Sequence, residues 1–261
     1  MMAALRRFLV LPRVIWYAAR APRGRDRVWD TYWRDIGGGG ADGDVLWDGA
    51  TDRGTRWCLD QALRHFDPAL PVVDVACGNG TQALLLADRF APVVGVDVSG
   101  EAVARARQRA AGRSRLSFRV ADITRPGAGR DLAAELGPAN VHIRGLLHIL
   151  DERQRRAAAG NLADLAGERG VVLLVETAGA GGALRYLEQL GVRLTAFPQT
   201  VARCLRAGLP IPRDFGEREL ARAFPADRWQ VLTTGTTDLD VVVTGGPTAV
   251  PAFYAVLKRR T

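Results

Sequence analysis

The chain has 261 residues, of which 48% are hydrophobic and 25% are charged, the composition of an ordinary globular protein that is long enough to bury a full core. Its three cysteines are widely spaced and odd in number, so we expect neither a disulfide framework nor a zinc site. Of the formal net charge of +8, residues 1–27 contribute +6, and because this basicity is confined to one terminus we do not expect nucleic acid as a partner.

The first 27 residues combine seven arginines with a short apolar run. The pattern is similar to a secretory signal peptide, but Pro12 and Arg13 interrupt the apolar run, which is too short to span a bilayer. We therefore predict a helical arm packed on the domain of a cytoplasmic protein. Peripheral contact of residues 1–27 with a membrane surface is the alternative, since a basic amphipathic arm can bind there.

The segment 28–36, VWDTYWRDI, places three aromatic side chains at i, i+3 and i+4 on one helical face: Trp29, Tyr32 and Trp33. Such a face usually packs against other elements of the protein. A glycine-rich linker follows at 37–45. We therefore divide the chain into 1–54, the helical arm with its linker, and 55–261, the main domain.

From residue 72 onward, apolar β-branched runs alternate with helical patterns, which predicts a parallel sheet with helices on both faces. The predicted strands lie at 72–76, 93–98, 116–121, 140–144 and 171–176, and the helices between them at 81–90, 100–111, 130–136 and 151–166. Two further strands, 229–243 and 252–258, have no helix between them and are predicted to pair antiparallel at one edge. The expected fold class is α/β: a doubly wound, mostly parallel seven-stranded sheet with an antiparallel C-terminal pair.

The stretch 177–229 separates the fifth and sixth predicted strands by 53 residues, whereas a usual connection has about 4–6 residues. We therefore expect a lid or cap that contains helices. Large apolar side chains are frequent in this stretch and acids are few. This composition favours a closed apolar pocket for a small or medium lipophilic molecule, and ordinary packing of a cap is the equal alternative.

A glycine turn, Gly78-Asn79-Gly80, lies between the first predicted strand and its helix, where a ligand can approach bare backbone at a helix N-terminus. With Ala83 the turn satisfies the dinucleotide fingerprint G-x-G-x-x-A. Asp97 lies 17 residues beyond Gly80, where an acid binds a ribose diol in nucleotide-binding folds. Alone this pattern is weak, because glycine turns also occur for packing reasons.

Acids at the ends of three successive strands narrow the choice of cofactor. Asp74 lies inside the first strand, where a pyrophosphate gains nothing from a carboxylate but a cofactor with an α-ammonium group does. Asp122 follows the third strand and can accept from an exocyclic adenine amine, with Ile123 against the ring. Together with Asp97, these acids favour a zwitterionic nucleoside that carries a cation, S-adenosylmethionine, over a dinucleotide.

At these residues the chain resembles the class I S-adenosylmethionine-dependent methyltransferases, over roughly residues 55–260. The glycine-rich loop of that family, D/E-x-G-x-G-x-G, here reads Asp74-x-Ala76-x-Gly78-x-Gly80, with alanine in place of the first glycine. The resemblance implies a Rossmann-like fold, S-adenosylmethionine as cofactor, S-adenosylhomocysteine as product, and no metal. It also implies a cofactor site formed by Asp74, Ala76, Cys77, Gly78, Gly80, Asp97, Val98, Asp122, Ile123 and Arg144.

In that family the acceptor meets the methyl group beyond the fourth strand, which corresponds here to the segment 140–151. Arg144 and His148 are four residues apart, so a helical turn would place both on one face as candidate catalytic residues. His148 can act as a general base on a substrate hydroxyl or acid, and a scaffold role is its alternative. Arg144 can bind a carboxylate of cofactor or substrate, and a structural ion pair is its alternative. The candidates for the acceptor pocket are Trp33, Trp47, Glu176 and Tyr186.

We therefore predict methyl transfer from S-adenosylmethionine to a small, lipophilic molecule. Three alternatives stay open at this point. The first is an enzyme that uses the same cofactor for another reaction, such as cyclisation of its aminobutyryl arm. The second is an NAD(P)-dependent oxidoreductase, and the third is a binding protein that senses the cofactor without turnover. The sequence leaves the oligomeric state open.

Overall fold

The computed structural model describes residues 16, 19, 22, 24–38, 44–48, 53–178, 183–192, 198–243 and 246–260. In this part of the chain, seven strands form one sheet: β1 (Val72–Val75), β2 (Val93–Asp97), β3 (Leu116–Val120), β4 (Asn140–Arg144), β5 (Val171–Thr177), β6 (Trp229–Val243) and β7 (Gly246–Arg259). Their order across the sheet is β3-β2-β1-β4-β5-β7-β6. Strands β1 to β5 are parallel, and β7 runs antiparallel to both of its neighbours.

This sheet confirms the predicted doubly wound α/β fold with an antiparallel C-terminal pair. Every residue of β1, β2 and β5 is buried, because helices cover both faces of the sheet and the strands can be apolar throughout. Strands β2 and β3 lie on one side of β1, and the chain then crosses to β4 and β5 on the other side. The order therefore reverses at β1, and ligands of such sheets bind outside the carboxyl ends of the strands at that point.

Helices flank the sheet and build two apolar clusters, one that includes Val73 and Ile143 and a second that includes Val72 and Phe118. The helices of the described residues are α1 (Arg25–Arg34), α2 (Arg53–His65), α3 (Thr81–Leu86), α4 (Gly100–Arg109), α5 (Ala128–Leu136), α6 (Glu152–Ala166), α7 (Ala183–Gln189), α8 (Gln199–Ala207) and α9 (Glu217–Ala223). A short 3₁₀ helix spans Leu147–Ile149. Helix α3 ends at Leu86, four residues before the predicted end, because the chain continues there in turns.

The hairpin of β6 and β7 is much longer than the parallel part of the sheet. These strands have 15 and 14 residues, whereas β1 has four and β5 has seven. The stretch 177–229 contains α7, α8 and α9, and the outer end of the hairpin packs against α7 and α8, whereas α9 packs against α6. The shared apolar cluster includes Tyr186, Leu190, Val201, Val241 and Val250.

Helix α1 packs against the main fold through α4 and α8. Its aromatic face joins a cluster with the end of α8, and the members of this cluster include Tyr32, Trp33, Ile36, Ala207 and Leu209. The predicted packing role of this aromatic face is therefore confirmed. The predicted linker 37–45 lies partly outside the described residues, as does most of the segment 1–27.

Candidate active site

A cavity opens at the carboxyl ends of the parallel strands, where the strand order reverses. The three predicted acids Asp74, Asp97 and Asp122 all line this cavity. They share it because parallel strands present their carboxyl ends at the same edge of the sheet. Six further predicted cofactor residues line the same cavity: Ala76, Cys77, Gly78, Val98, Ile123 and Arg144.

The loop after β1 has backbone conformations that favour glycine. Gly78 has a φ of 53°, and an added Cβ there would lie 2.9 Å from Cζ2 of Trp33. The indole of Trp33 therefore rests on bare backbone. Ala76 has a φ of 59°, in the left-handed region that side chains with a Cβ rarely adopt. The alanine at the first glycine position of the loop thus keeps the conformation that glycine adopts more easily.

Gly80 was predicted as a cofactor residue, but it is not among the residues that line the cavity. An added Cβ at Gly80 would lie 2.8 Å from Cζ of Phe118 and 3.1 Å from Cβ of Ala106. Its φ of 83° is also left-handed. Gly80 is therefore required for close packing of the loop against β3 and α4, and its predicted contact with the cofactor stays a prediction.

Asp97 is held by the backbone of two loops. Its Oδ2 accepts a hydrogen bond of 2.9 Å from the backbone N–H of Gly78, and its Oδ1 accepts one of 2.9 Å from the backbone N–H of Ser99. Burial nevertheless outweighs these donors and raises the pKa of Asp97 to about 6. The carboxyl group is therefore positioned precisely where the loops after β1 and β2 meet, in an environment that disfavours its charge.

Asp74 forms a buried pair with a histidine of the neighbouring strand. Asp74 and His142 are opposite each other in β1 and β4, and Nδ1 of His142 lies 2.7 Å from Oδ1 of Asp74. Burial lowers the pKa of His142, but the hydrogen bonds to Asp74 and to Cys58 outweigh it and raise the pKa to about 9. Among the described residues, Oδ2 of Asp74 has no hydrogen-bond partner although it is buried.

Asp122 has partners on both carboxylate oxygens. Its Oδ1 accepts hydrogen bonds of 2.8 Å from the backbone N–H and from the hydroxyl group of Thr124. Its Oδ2 accepts from Nη2 of Arg25, which belongs to α1. Burial raises the pKa of Asp122, but the donors of Thr124 and Arg25 outweigh it, so that the pKa lies below its usual value. The carboxyl group is therefore ionised and fixed in orientation.

His148 and Glu176 form a second buried pair. Nδ1 of His148 lies 2.6 Å from Oε2 of Glu176, and the Glu176 carboxylate also accepts backbone N–H groups from Leu146, Leu147 and His148 itself. Because three backbone N–H groups donate to the Glu176 carboxylate, this carboxylate is also the acceptor for an N–H at Nδ1 of His148, and Nε2 is the ring nitrogen that does not face Glu176. The ring of His148 lines the cavity.

Glu176 was predicted in the acceptor pocket, and the structure corrects this position. The side chain is fully buried and does not line the cavity, because all its acceptor capacity is used by the segment that carries His148. The predicted helical turn that joins Arg144 to His148 is also wrong. Arg144 ends β4, and Gly145, with a φ of 72°, separates it from the 3₁₀ helix of His148. Both side chains still reach the same cavity.

Two other predicted pocket residues, Trp47 and Tyr186, line the cavity together with both polar and apolar side chains. Trp47 contacts Trp33 with ring centroids 6.0 Å apart, and the backbone oxygen of Trp47 accepts a hydrogen bond of 3.3 Å from Nη2 of Arg144. Tyr186 lines the cavity from the cap. The acids and the glycine loop therefore form a polar half, and the cap and hairpin form an apolar half. The apolar half is lined by Leu46, Tyr186, Leu187, Leu190, Val201, Cys204, Leu205, Leu209, Ile211, Leu239, Val241 and Val250.

Comparison with known proteins identifies the type of enzyme. Residues 72–170 match the family model described as a methyltransferase domain. The solved structure of an S-adenosylmethionine-dependent methyltransferase from Anabaena variabilis ATCC 29413 is similar with a TM-score of 0.79 and 26% identity, over 92% of this chain and 97% of that one. Residues 72–170 therefore form a methyltransferase domain, and the protein is an S-adenosylmethionine-dependent methyltransferase. The cofactor of this methyltransferase is accordingly S-adenosylmethionine.

Two further proteins are similar to the methyltransferase. A solved structure from echinomycin biosynthesis, from work on the conversion of a disulfide bond into a thioacetal group, has a TM-score of 0.67 and 23% identity over 90% of this chain and 92% of that one. That likeness concerns the fold. A 23S rRNA (uracil(1939)-C(5))-methyltransferase from Methylococcus capsulatus is 41% identical over 75 residues. This match spans 27% of the chain and only 17% of that curated relative.

The methyltransferase fits its cofactor with polar groups that sequence reasoning missed. Asp48, Asn79, Thr81 and Gln82 line the polar half, and Nδ2 of Asn79 donates a hydrogen bond of 2.7 Å to Oδ2 of Asp48. Oδ2 of Asp74 is buried with no hydrogen-bond partner among the described residues, whereas the side chain of Gln82 bonds the thiol of Cys58. Buried polar atoms normally have partners, so this carboxylate oxygen fits a polar ligand in the cavity. The position of Asn79 between two loop glycines was the one available sequence signal.

Within the described ranges, the methyltransferase has neither a metal cluster nor a membrane-spanning helix. No group of three or more His, Cys, Asp or Glu side chains in these ranges is arranged to hold a metal ion. No helix in the same ranges has both the length and the apolar character needed to cross a membrane. Arg25, one of the basic residues of the segment 1–27, is engaged in the protein itself through Asp122.

Proposed function

We propose that this methyltransferase transfers the methyl group of S-adenosylmethionine to a hydroxyl group of a small, neutral, apolar molecule. The observation that carries this proposal is the pair of His148 and Glu176 beside the cavity, since it prepares a general base next to an apolar chamber. When bound, the cofactor supplies a methyl group that is already activated by its positive sulfur. The protein then has to bind, orient and deprotonate the acceptor.

The polar half is the proposed cofactor site. Asp97 would bind the ribose hydroxyls, and Asp122 would accept from the adenine amine, beside Ile123. The unpartnered Oδ2 of Asp74 supports a contact with the α-ammonium group, and the guanidinium of Arg144 supports one with the α-carboxylate. Ala76, Cys77, Gly78 and Val98 would form the wall against which the cofactor lies. Cys77 itself is unsuited to nucleophilic attack, because burial raises the pKa of its thiol well above the usual value.

His148 is the proposed catalytic base. Because Glu176 holds the proton of Nδ1, Nε2 is the nitrogen that can take a proton from an acceptor hydroxyl. The backbone N–H of Arg213 donates a hydrogen bond of 2.9 Å to the backbone oxygen of His148, so the segment is fixed from two sides. A base in a fixed position raises the nucleophilicity of the hydroxyl as the methyl group is transferred, which contributes about 10²–10⁴-fold to the rate.

The apolar half supports the nature of the acceptor. Apart from Leu46, the lining side chains belong to the cap 177–229 and to the β6–β7 hairpin, and nearly all of them are aliphatic or aromatic. Cys204 contributes a thiol to this apolar lining. Burial raises the pKa of the thiol to about 12, so it is neutral. An acceptor with a neutral hydrocarbon skeleton is stabilised in such a chamber, whereas a charged acceptor would lose its hydration there. We therefore place 177–229 as a cap over the acceptor and 55–261 as the catalytic domain.

The test is transfer of label from S-adenosylmethionine to neutral apolar phenols and alcohols. Each acceptor is paired with its methyl ether, which lacks the free hydroxyl and should accept no label. His148→Asn keeps a donor for Glu176 but removes the base, so turnover should fall about 10²–10⁴-fold while affinity for S-adenosylhomocysteine is retained. Total RNA is included because of the rRNA methyltransferase relative. Label in RNA alone, or a rearranged cofactor without any acceptor, would contradict the proposal.

A further inference from the structure

Helix α1 contacts the loops after three successive strands, at the residues of the proposed cofactor site. Trp33 rests on Gly78 after β1, Asp30 bonds the residues after β2, and Arg25 binds Asp122 after β3. These contacts come from a helix of ten residues that lies before the fold of the catalytic domain in sequence. One surface helix therefore spans the entire polar edge of the cavity.

The contact at the proposed adenine end is the most polar of the three. Nη2 of Arg25 donates to Oδ2 of Asp122 and also to the hydroxyl oxygen of Thr124, while that hydroxyl donates to Oδ1 of Asp122. The side chain of Arg25 is 22% exposed and that of Asp122 is 34% exposed, so this ion pair is partly shielded from water. Arg25 also lines the cavity.

The middle contact fixes the helix against α4. Oδ1 of Asp30 accepts a hydrogen bond of 2.6 Å from the Ser99 hydroxyl group and one of 3.2 Å from the backbone N–H of Glu101. Ser99 is the residue whose backbone N–H binds Asp97. The third contact is apolar, since Trp33 is 1% exposed and covers Gly78. Trp29 lines the cavity beside it.

From this arrangement we infer that α1 is a cover over the cofactor, that the cofactor is exchanged only when α1 lifts, and that Arg25 is the positioning residue that fastens it to Asp122. The same helix packs on α8 of the cap through the cluster of Tyr32 and Leu209. Lifting α1 therefore opens the polar half and loosens one wall of the apolar half together. A closed α1 keeps water from the reacting groups while both partners are bound.

The test measures the dissociation rate of S-adenosylhomocysteine from the full chain by displacement with excess unlabelled ligand. Arg25→Ala removes a hydrogen bond to a charged group, so dissociation should be about ten-fold faster. Arg25→Lys keeps the charge but loses the planar fork, and its rate should lie between the two. Arg27→Ala is the matched control, because Arg27 is exposed on the same helix and does not line the cavity. Its rate should equal that of the wild type.

Hydrogen exchange of residues 25–34 gives a readout that needs no turnover. In Arg25→Ala these amides should exchange faster even without ligand, and in the wild type S-adenosylhomocysteine should slow their exchange. Unchanged dissociation and unchanged exchange in Arg25→Ala would overturn the inference. So would faster association with unchanged dissociation, because the ion pair would then be an obstacle to binding. The inference rests on the cofactor and not on the acceptor, so a failure of the acceptor proposal leaves it intact.

Discussion

Nδ1 of His148 lies 2.6 Å from Oε2 of the fully buried Glu176, and three backbone N–H groups share the same carboxylate. In Glu176→Gln, an amide N–H₂ group replaces one carboxylate oxygen, so the N–H groups that donated to that oxygen lose their acceptor. We expect the free energy of unfolding to fall by about 3 kcal/mol, since buried donors are left unpaired. We also expect turnover to fall, because the His148 ring loses its fixed orientation. Urea unfolding and the transfer assay measure the two effects.

Glu152→Gln is the control for this substitution. Glu152 is an exposed glutamate of α6 that pairs with Arg156 at i,i+4, and its loss should change stability by less than about 0.5 kcal/mol. If Glu176→Gln is no more destabilising than Glu152→Gln, the Glu176 carboxylate does not organise the His148 segment.

The raised pKa of Asp97 predicts a pH dependence of cofactor binding. Burial places this pKa at about 6, and ribose hydroxyls donate to the ionised carboxylate. Affinity for S-adenosylhomocysteine should therefore increase about ten-fold between about pH 5 and about pH 7. In the ligand-free protein the sign is opposite: the folded state binds the proton more tightly than the unfolded state, so the free energy of unfolding falls as the pH rises from the unfolded pKa through about 6.

Titration calorimetry across this range measures the affinity. Asp97→Asn cannot ionise, so its binding should be weaker and independent of pH over the same range. A wild-type affinity that stays constant from about pH 5 to about pH 7 would show that the charge of Asp97 is irrelevant to binding.

His142 predicts a loss of stability at alkaline pH. Its pKa of about 9 in the folded protein exceeds the value of 6.5 for an unperturbed histidine, so the stabilisation is complete below about 6.5 and is lost as the pH rises through about 9. The expected loss is on the order of 3 kcal/mol. The groups that face His142 are Asp74 of β1 and Cys58 of α2.

Urea unfolding at about pH 6 and about pH 10 measures this loss. His142→Gln has no proton to lose and should show a smaller difference between the two pH values, and Cys58 is present in both proteins. Equal differences in both proteins would show that His142 is not charged in the folded state.

The sequence predicted the sheet and the position of the acids because both depend on local patterns. Runs of valine marked β1, β2 and β5, and parallel strands bring their carboxyl ends together whatever the exact register. Asp74, Asp97 and Asp122 could therefore be assigned to one cavity from their places at strand ends. The identity of the cofactor followed from the chemistry of these side chains, and the family comparison supports it.

The pairings of these acids could not be predicted in the same way. The contact of Asp74 with His142 depends on the register of β1 against β4, and 68 residues separate the two in sequence. Arg25 and Asp122 are 97 residues apart, and nothing in a run of terminal arginines distinguishes Arg25 from the others. Gly80 was predicted in the site because it belongs to the loop motif, but the absence of a Cβ at this position makes room for the ring of Phe118. Long-range packing decided each of these roles.

Ala76 predicts a stabilising substitution within the cofactor loop. A φ of 59° costs an L-residue about 1–2 kcal/mol, and glycine avoids this strain. Glycine has more conformational freedom in the unfolded chain, however, and this costs about 0.5–1 kcal/mol on folding. Ala76→Gly should therefore raise the free energy of unfolding by about 0.5–1 kcal/mol, measured by urea unfolding. Gly80→Ala is the matched reverse change, and contact with Phe118 should lower stability by about 1–3 kcal/mol. A destabilised Ala76→Gly would mean that the loop gains from the methyl group of Ala76 more than its backbone loses.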